Sequence, residues 1–171
     1  MAKAKNNNKY QYFTKAIPLP DGRRKYIRAK TQEELDAKVA EMKALMSAGV
    51  DISNDMPFGE FTLKWFETYK RPYLRERSQN SIKYVVNQYI LPPLGNCLPR
   101  EITPMQIHAI MAGLSDKSNS LQAKVLAYLR DIFKAAEENG LLAKSPVSDR
   151  LKAGEKKTEE KRQIMGWWKN R

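Results

Sequence analysis

The chain has 171 residues, with 31 Lys and Arg against 19 Asp and Glu and a net charge of +12. This length allows one or two small domains, and a hydrophobic content of 42% excludes a wholly disordered basic tail. So basic a balance favours a polyanionic partner, although the excess could also serve solubility alone. The single cysteine, Cys97, excludes an internal disulfide and favours a reducing compartment.

Other function classes lack their sequence signals. No apolar run approaches the ~18–20 residues that cross a bilayer, and residues 1–10 lack the apolar stretch of a secretory signal. The prediction is a cytoplasmic protein with no membrane partner. His108 is the only histidine, so no metal site is predicted, and no nucleotide loop or catalytic constellation suggests a cofactor or an enzyme.

The charge is clustered along the chain. Residues 1–30 carry nine cations against one acid, residues 31–57 carry two against six, and residues 150–171 carry eight against three. Solubility alone explains such clustering poorly. We predict an α+β protein with three parts: a β-ribbon packed on one helix at 1–52, a four-helix domain at 57–147, and a basic, poorly ordered linker or tail at 148–171.

The N-terminal part is predicted to be a hairpin. Residues 10–17 are β-branched and aromatic with partial alternation, residues 18–22 have turn chemistry, and residues 23–28 return as a basic strand. A major groove admits two strands as readily as a helix, so Arg23, Lys25 and Arg28 are candidate DNA contacts. The alternative is a solvated edge hairpin whose charges only prevent aggregation.

A helix is predicted to back this ribbon. Thr31 is its expected N-cap with Glu34 completing a capping box, and Gly49 its expected stop. One apolar stripe follows helical spacing at Leu35, Val39, Met42 and Met46. Since two strands alone are marginal in water, this helix or an unrecognised third strand must supply the core.

The first helix of the second part is predicted to begin at Pro57 and to end or kink at Pro72. Its aromatic stripe is interpreted as core: Phe58, Phe61, Trp65, Phe66 and Tyr69. Arg75 and Arg77 lie in the connection that follows. The next helix is predicted to start at Ser78 as N-cap and to break sharply at Pro92 and Pro93.

This second helix has an unusual polar face. Its apolar residues are Ile82, Val85, Val86 and Tyr89, and the opposite face shows Gln79, Asn80, Lys83, Tyr84, Asn87 and Gln88 with no acid. Amide side chains read adenine edges, and lysine reaches phosphate or guanine.

The third and fourth helices begin with strong caps. Thr103, Pro104 and Gln106 predict a capping box with proline at the first helical position, and Ile102 and Ile107 a hydrophobic staple. Residues 117–120 give the fourth helix a hydroxyl-rich N-terminus that favours phosphate, although an ordinary cap explains the serines equally well. Gly140 is its expected stop.

This order of helices and junctions resembles the core-binding (SAM-like N-terminal) domain of phage-type tyrosine recombinases, or integrases. The resemblance covers roughly residues 58–146 and rests on many positions in order. They are Phe58, Trp65 and Tyr69; Ser78 and the helix leading into 90–95; Leu98, Ile102 and Thr103; 129–136; 138–142; and Ser145 and Pro146. The ribbon and its helix resemble the arm-site DNA-binding domain of such integrases, on residues 10–17, Asp21, Gly22, 23–28 and the Thr31 helix.

The resemblance implies binding to double-stranded DNA at recombination (attachment) sites, with other integrase protomers as further partners. It implies that the second and fourth helices face the DNA. The candidate contacts are Arg75, Arg77, Ser78, Asn80, Lys83, Tyr84 and Asn87 on one side, and Lys117, Ser118, Asn119, Ser120, Gln122 and Lys124 on the other.

The sequence departs from the family after residue 146. The family's catalytic domain follows this point, whereas here the chain reaches Arg171 with no tyrosine after Tyr128 and no further histidine. Strand transfer needs a nucleophile and cationic stabilisation of the phosphorane, so we expect no enzymatic activity. Two alternatives stay open: a helical protein-interaction module with basic solubilising ends, and a natural truncated competitor or regulator of an integrase.

Overall fold

The computed structural model describes residues 12–19 and 22–154. They form two compact units, of which the first runs to Asp55 and includes Gly140–Ala143, and the second contains Met56–Asn139 and resumes at Lys144. The first unit holds a two-stranded antiparallel sheet and one long helix, and the second is helical. The predicted α+β class is confirmed.

The sheet of the first unit pairs β1 (Phe13–Pro18) with β2 (Arg24–Ala29) in antiparallel register, Ile17 lying opposite Lys25. Helix α1 (Gln32–Ser47) covers one face of the sheet. The small core consists of Ile17, Ile27, Ala29, Leu35 and Val39, with Met42 and Met46 packed against it. Because side chains alternate across a strand, the opposite face of the sheet lies open.

Both predicted ends of α1 are confirmed. The Thr31 hydroxyl accepts the Glu34 N–H at 3.2 Å, and the Glu34 carboxylate accepts from the N–H of Lys30 rather than from that of Thr31. Gly49 has φ of +83°, a conformation that glycine adopts without strain. There the Val50 N–H donates to the Leu45 carbonyl at 3.0 Å, which satisfies a carbonyl of the last turn.

The second unit begins with α2 (Phe58–Trp65), which continues through a wide turn at Phe66–Lys70 and a 3₁₀ turn at Arg71–Tyr73. Four of the five predicted core aromatics are buried. The fifth prediction is wrong: Tyr69 is 45% exposed and accepts a hydrogen bond from the Asn139 amide. The wide turn adds a residue to the helical repeat and so shifts the positions after Phe66 away from the core.

The second helix differs from its predicted ends. Helix α3 spans Glu76–Val85 with Arg75 as N-cap, so the predicted cap Ser78 lies in its first turn and donates its N–H to the Arg75 carbonyl at 2.9 Å. The chain also stays helical past the prolines, through a wide turn at Val86–Ile90 and α4 (Leu91–Leu94). The predicted break is wrong because prolines are tolerated in the first turn of a helical segment, where their missing N–H costs nothing.

Helices α5 (Pro104–Ala112) and α6 (Asn119–Glu138) begin as predicted. The Thr103 hydroxyl accepts the Gln106 N–H, and the Gln106 side chain accepts the Thr103 N–H at 2.8 Å, which completes the capping box. Ser118 caps α6 by accepting the Leu121 N–H at 3.3 Å. The core of this unit is centred on α6, where Val125, Leu129, Ile132, Phe133 and Ala136 are all fully buried.

Residues 148–154, which we call the strap, lie against α6. Arg130 Nη2 donates to the Leu151 carbonyl at 2.7 Å, and the Gly154 N–H donates to Gln122 Oε1 at 2.8 Å. These hydrogen bonds hold part of the tail that the sequence predicted to be poorly ordered from 148. The rest of that predicted tail, including Trp167 and Trp168, lies outside the described residues.

Candidate nucleic-acid interface

The open face of the sheet presents two arginines on either side of an aromatic ring. Arg24, Tyr26 and Arg28 alternate along β2 on this face, and Tyr26 is 64% exposed. Thr14 and Ala16 lie opposite Arg28 and Tyr26 on β1. Guanidinium groups at this spacing suit phosphates, and the phenol adds a hydrogen-bond donor.

Of the three ribbon candidates, only Arg28 lies on this open face. Arg23 is exposed just before β2. Lys25 lies on the opposite face, where its Nζ donates to the Ile52 carbonyl at 2.7 Å and pairs with Asp55 at 3.0 Å. Arg24 and Tyr26 were missed, although their two-residue spacing from Arg28 was the available signal.

Helix α3 presents the predicted polar face. Arg77, Asn80, Lys83, Tyr84 and Asn87 are all exposed, as are Arg75 and Ser78. Because the N-cap is Arg75, three residues before the predicted Ser78, the helix adds one exposed acid, Glu76, at its N-terminus. From Arg77 onward the face carries no carboxylate.

Two contacts fix side chains on this face. Lys83 Nζ lies 5.1 Å from the centre of the Phe66 ring, a cation–π contact that leaves its ammonium group exposed. The rings of Tyr84 and Tyr89 meet edge to face with centroids 6.2 Å apart. Hydrogen bonding to Tyr84 raises the pKa of Tyr89.

The first turn of α6 carries the second group of candidates. Lys117, Ser118, Asn119, Ser120 and Lys124 are exposed there. Lys117 Nζ pairs with the neighbouring Asp116 at 3.0 Å, and this contact raises the pKa of Lys117 and lowers that of Asp116. The Ser118 oxygen caps the helix, which leaves its O–H free to donate to a ligand.

Gln122 does not belong to this surface. Its side chain is 3% exposed, donates from Nε2 to the Lys117 carbonyl at 3.0 Å, and accepts the Gly154 N–H at 2.8 Å. The candidate assignment is wrong because both ends of the amide are used inside the protein. The sequence placed Gln122 correctly on α6 but could not show the strap that covers it.

The structure brings the two helical groups together. Helix α3 packs against α6. Charge interactions with Tyr89 and Tyr84 contribute to the raised pKa of Lys117, in agreement with this packing. We call this combined surface the helical face. It consists of Arg75, Arg77, Ser78, Asn80, Lys83, Tyr84, Asn87, Lys117, Ser118, Asn119, Ser120 and Lys124.

The helical face combines cations, hydroxyls and amides. Cations and hydroxyls suit phosphate, and amides offer the paired donor and acceptor that recognise base edges. Across residues 12–19 and 22–154, no group of His, Cys, Asp or Glu side chains is placed to hold a metal ion. In the same part of the chain, no helix is both long and apolar enough to span a bilayer.

Comparisons with known proteins agree with this fold. Residues 57–115 match the family model of the phage integrase N-terminal SAM-like domain. The solution structure of an integrase-like domain from Bacillus cereus is similar with a TM-score of 0.55 and 22% identity, over 60% of this chain and 86% of that one. No curated protein matches the sequence.

Two structures of lambda integrase share the fold over more of the chain. A tetramer bound to a Holliday junction has a TM-score of 0.55 at 14% identity, and a dimer bound to a COC′ core site has 0.56 at 15%. Each match covers 89% of this chain. The chain spans slightly less than half of the lambda integrase chain, 46% and 45% in the two structures. Residues 57–115, within the helical unit, therefore carry the match to the phage integrase N-terminal SAM-like domain.

Proposed function

We propose that this chain binds double-stranded DNA at recombination sites, as the N-terminal, non-catalytic part of a site-specific integrase. The observation that carries the proposal is the helical face, a cationic and amide-bearing surface on a helical unit that matches the integrase SAM-like domain over residues 57–115. Similarity of fold to lambda integrase, whose structures hold a core site and a Holliday junction, supports the same partner.

The helical face divides into two kinds of contact. Arg77, Lys83 and Lys117 bind phosphates and set the position of the domain on the duplex, because such contacts carry no sequence information. Asn80 and Asn87 contact base edges and give sequence preference. Ser118 and Ser120 add hydroxyl donors at the first turn of α6, where free backbone N–H groups also favour anions.

The open face of the sheet is a second DNA surface in this proposal. Arg24 and Arg28 reach phosphates or guanine edges from a two-stranded ribbon, which fits a major groove. Tyr26 stands between them and donates from its phenol. Other protomers are proposed as protein partners, since the lambda integrase structures contain a dimer and a tetramer.

A second candidate is a protein-interaction module, and a specific observation favours it. An apolar groove of about 390 Å³ is lined by Pro93, Leu94, Ala109, Ile110 and Leu114, among others. Met105, at the start of α5, is 80% exposed. In this alternative the groove binds a partner protein and the cations only keep the chain soluble.

A chain that binds DNA without strand transfer would also act as a competitor or regulator of an integrase.

The salt dependence of duplex binding separates the two candidates. Release of counterions predicts that log K falls with log salt concentration with a slope of about −0.9 for each phosphate contacted. We expect a steep slope, and footprinting on random-sequence fragments should reveal a preferred site. A flat slope, or no duplex binding at low salt, contradicts the DNA proposal and favours the interaction module.

A further inference from the structure

The strap is tied to α6 at two points by buried or half-buried polar groups. Arg130 Nη2 donates to the Leu151 carbonyl at 2.7 Å and to the Asp149 carbonyl at 3.4 Å. Its buried Nε has no hydrogen-bond acceptor among the described residues, so the strap carbonyls are what hold this guanidinium. Contacts of a charged donor to carbonyls are stronger than neutral ones.

Gln122 is the second anchor and joins two segments that are far apart in sequence. Its Oε1 accepts the Gly154 N–H, and its Nε2 donates to the Lys117 carbonyl. Gln122 is only 3% exposed. Burying a primary amide costs free energy unless its oxygen and its nitrogen are both hydrogen-bonded, and here both are. One side chain therefore links the strap to the turn that carries Lys117 and Ser118.

The backbone of the strap lies close to the side-chain amide of Gln122. A Cβ on Gly154 would lie 2.8 Å from Gln122 Oε1, a distance that real Cβ contacts do not show. Any side chain at 154 must displace the strap or the amide. Because both ends of that amide are hydrogen-bonded, such a displacement disturbs at least one of the two hydrogen bonds.

We propose that Gln122 is a positioning residue for the helical face: by tying the strap to the Lys117 carbonyl, it couples the order of the strap to the order of the DNA-facing turn of α6. The DNA part of this inference rests on the proposed function; the coupling itself does not. Coupling between two sites is reciprocal, so ordering either one stabilises the other.

Backbone hydrogen exchange in the DNA-free protein tests the coupling directly. Gln122→Met keeps the buried volume and removes both hydrogen bonds. We expect exchange to be about fivefold faster at the Gly154 amide, as loss of one hydrogen bond predicts. Exchange should also quicken at Leu121, whose N–H is capped by Ser118. Unprotected exchange of Gly154 in the parent protein overturns the proposal.

Gly154→Ala tests the same coupling from the strap and leaves the core of the domain untouched. It should quicken exchange at Leu121, although the two residues are far apart in sequence. Gly113→Ala is the matched control, because its added Cβ has only ordinary 3.5 Å contacts. If Gly154→Ala leaves Leu121 exchange at the control value, the coupling is contradicted, whether or not Gln122→Met folds.

Duplex binding by the same two variants links the coupling to function. We expect Gly154→Ala to weaken duplex affinity about two- to fivefold relative to Gly113→Ala, as a modest coupling between sites predicts. If the two variants bind duplex equally while the Leu121 amide exchanges faster in Gly154→Ala, the effect of the coupling on DNA binding is contradicted. Absence of duplex binding by the parent protein contradicts the proposed function, and the exchange measurements still decide the coupling.

Discussion

The rings of Phe58 and Phe133 stack with centroids 4.9 Å apart and an interplanar angle of 26°, and both side chains are fully buried. Phe58 is the first residue of α2 and Phe133 lies in the second half of α6. The stack therefore joins the first and last helices of the helical unit. Offset aromatic pairs add to the free energy of burial, so the unit should depend strongly on this contact.

Phe133→Ala should destabilise the helical unit by about 3–5 kcal/mol, because it removes a buried ring and leaves a cavity beside Phe58. Urea unfolding followed by tryptophan fluorescence of Trp65, which is buried in the same unit, measures the change. The control is Met105→Ala on the surface, expected to change stability by less than about 0.5 kcal/mol. Similar effects of the two substitutions would contradict the central role of the stack.

Lys83→Ala should weaken binding to all duplexes alike. It should also make the slope of log K against log salt concentration less steep by the amount that one phosphate contact contributes, about 0.9. Lys83 is an exposed residue beside the Phe66 ring, so its loss should leave the fold intact. Titrations of cognate and random duplexes over a range of salt concentrations measure both quantities. Equal slopes for the parent and the variant would show that Lys83 does not contact phosphate.

Asn87→Ala should reduce the difference in binding free energy between cognate and random DNA by ~1–3 kcal/mol, the value of a bidentate contact to a base. Its salt slope should stay at the parent value, because an amide releases no counterion. Competition between the footprinted site and random duplex measures the difference in binding free energy. If Asn87→Ala and Lys83→Ala both bind like the parent, the helical face is not the DNA surface.

Asp116→Asn should strengthen duplex binding, since it frees Lys117 from its 3.0 Å ion pair and removes a carboxylate from beside phosphate. The hydrogen bond from Lys117 lowers the pKa of Asp116, as expected where the ionised carboxylate is held by the ammonium group. Glu60→Gln on α2 is the control, since it changes the net charge equally and breaks the pair with Lys64. Equal effects of both variants would mean that only net charge matters.

Glu34→Gln should destabilise the first unit in a pH-dependent manner. Hydrogen bonds from Lys38 and from the Lys30 N–H lower the pKa of Glu34 below its ordinary value. The ionised carboxylate therefore stabilises the folded state above the ordinary glutamate pKa, and this contribution is lost as the pH falls through the lowered pKa. Parent and variant should differ near neutral pH and converge in acid.

Hydrogen exchange of amides in α1 measures this difference between pH 7 and pH 3. The control is Glu41→Gln, an exposed position on the same helix. A difference that persists unchanged at pH 3 would show that the Glu34 charge is not its source.

The sequence by itself determined the elements that local chemistry specifies. The caps at Thr31, Thr103 and Ser118, and the positive-φ stop at Gly49, were predictable because their hydrogen bonds involve neighbouring residues. Helical spacing likewise predicted the buried stripes, and the polar face of α3 followed as their complement. These are short-range features that a single segment carries.

Only the tertiary structure decided what depends on residues distant in sequence. The sequence predicted Lys25 as a contact of the ribbon, whereas in the structure its ammonium group contacts the Ile52 carbonyl and Asp55. Gln122 looked exposed on α6, yet the strap buries it, because hydrogen bonds to segments far along the chain cannot be read from helical periodicity. The wide turns after Trp65 and Val85 shifted the register of the residues that follow, since cooperative packing overrides the ideal repeat.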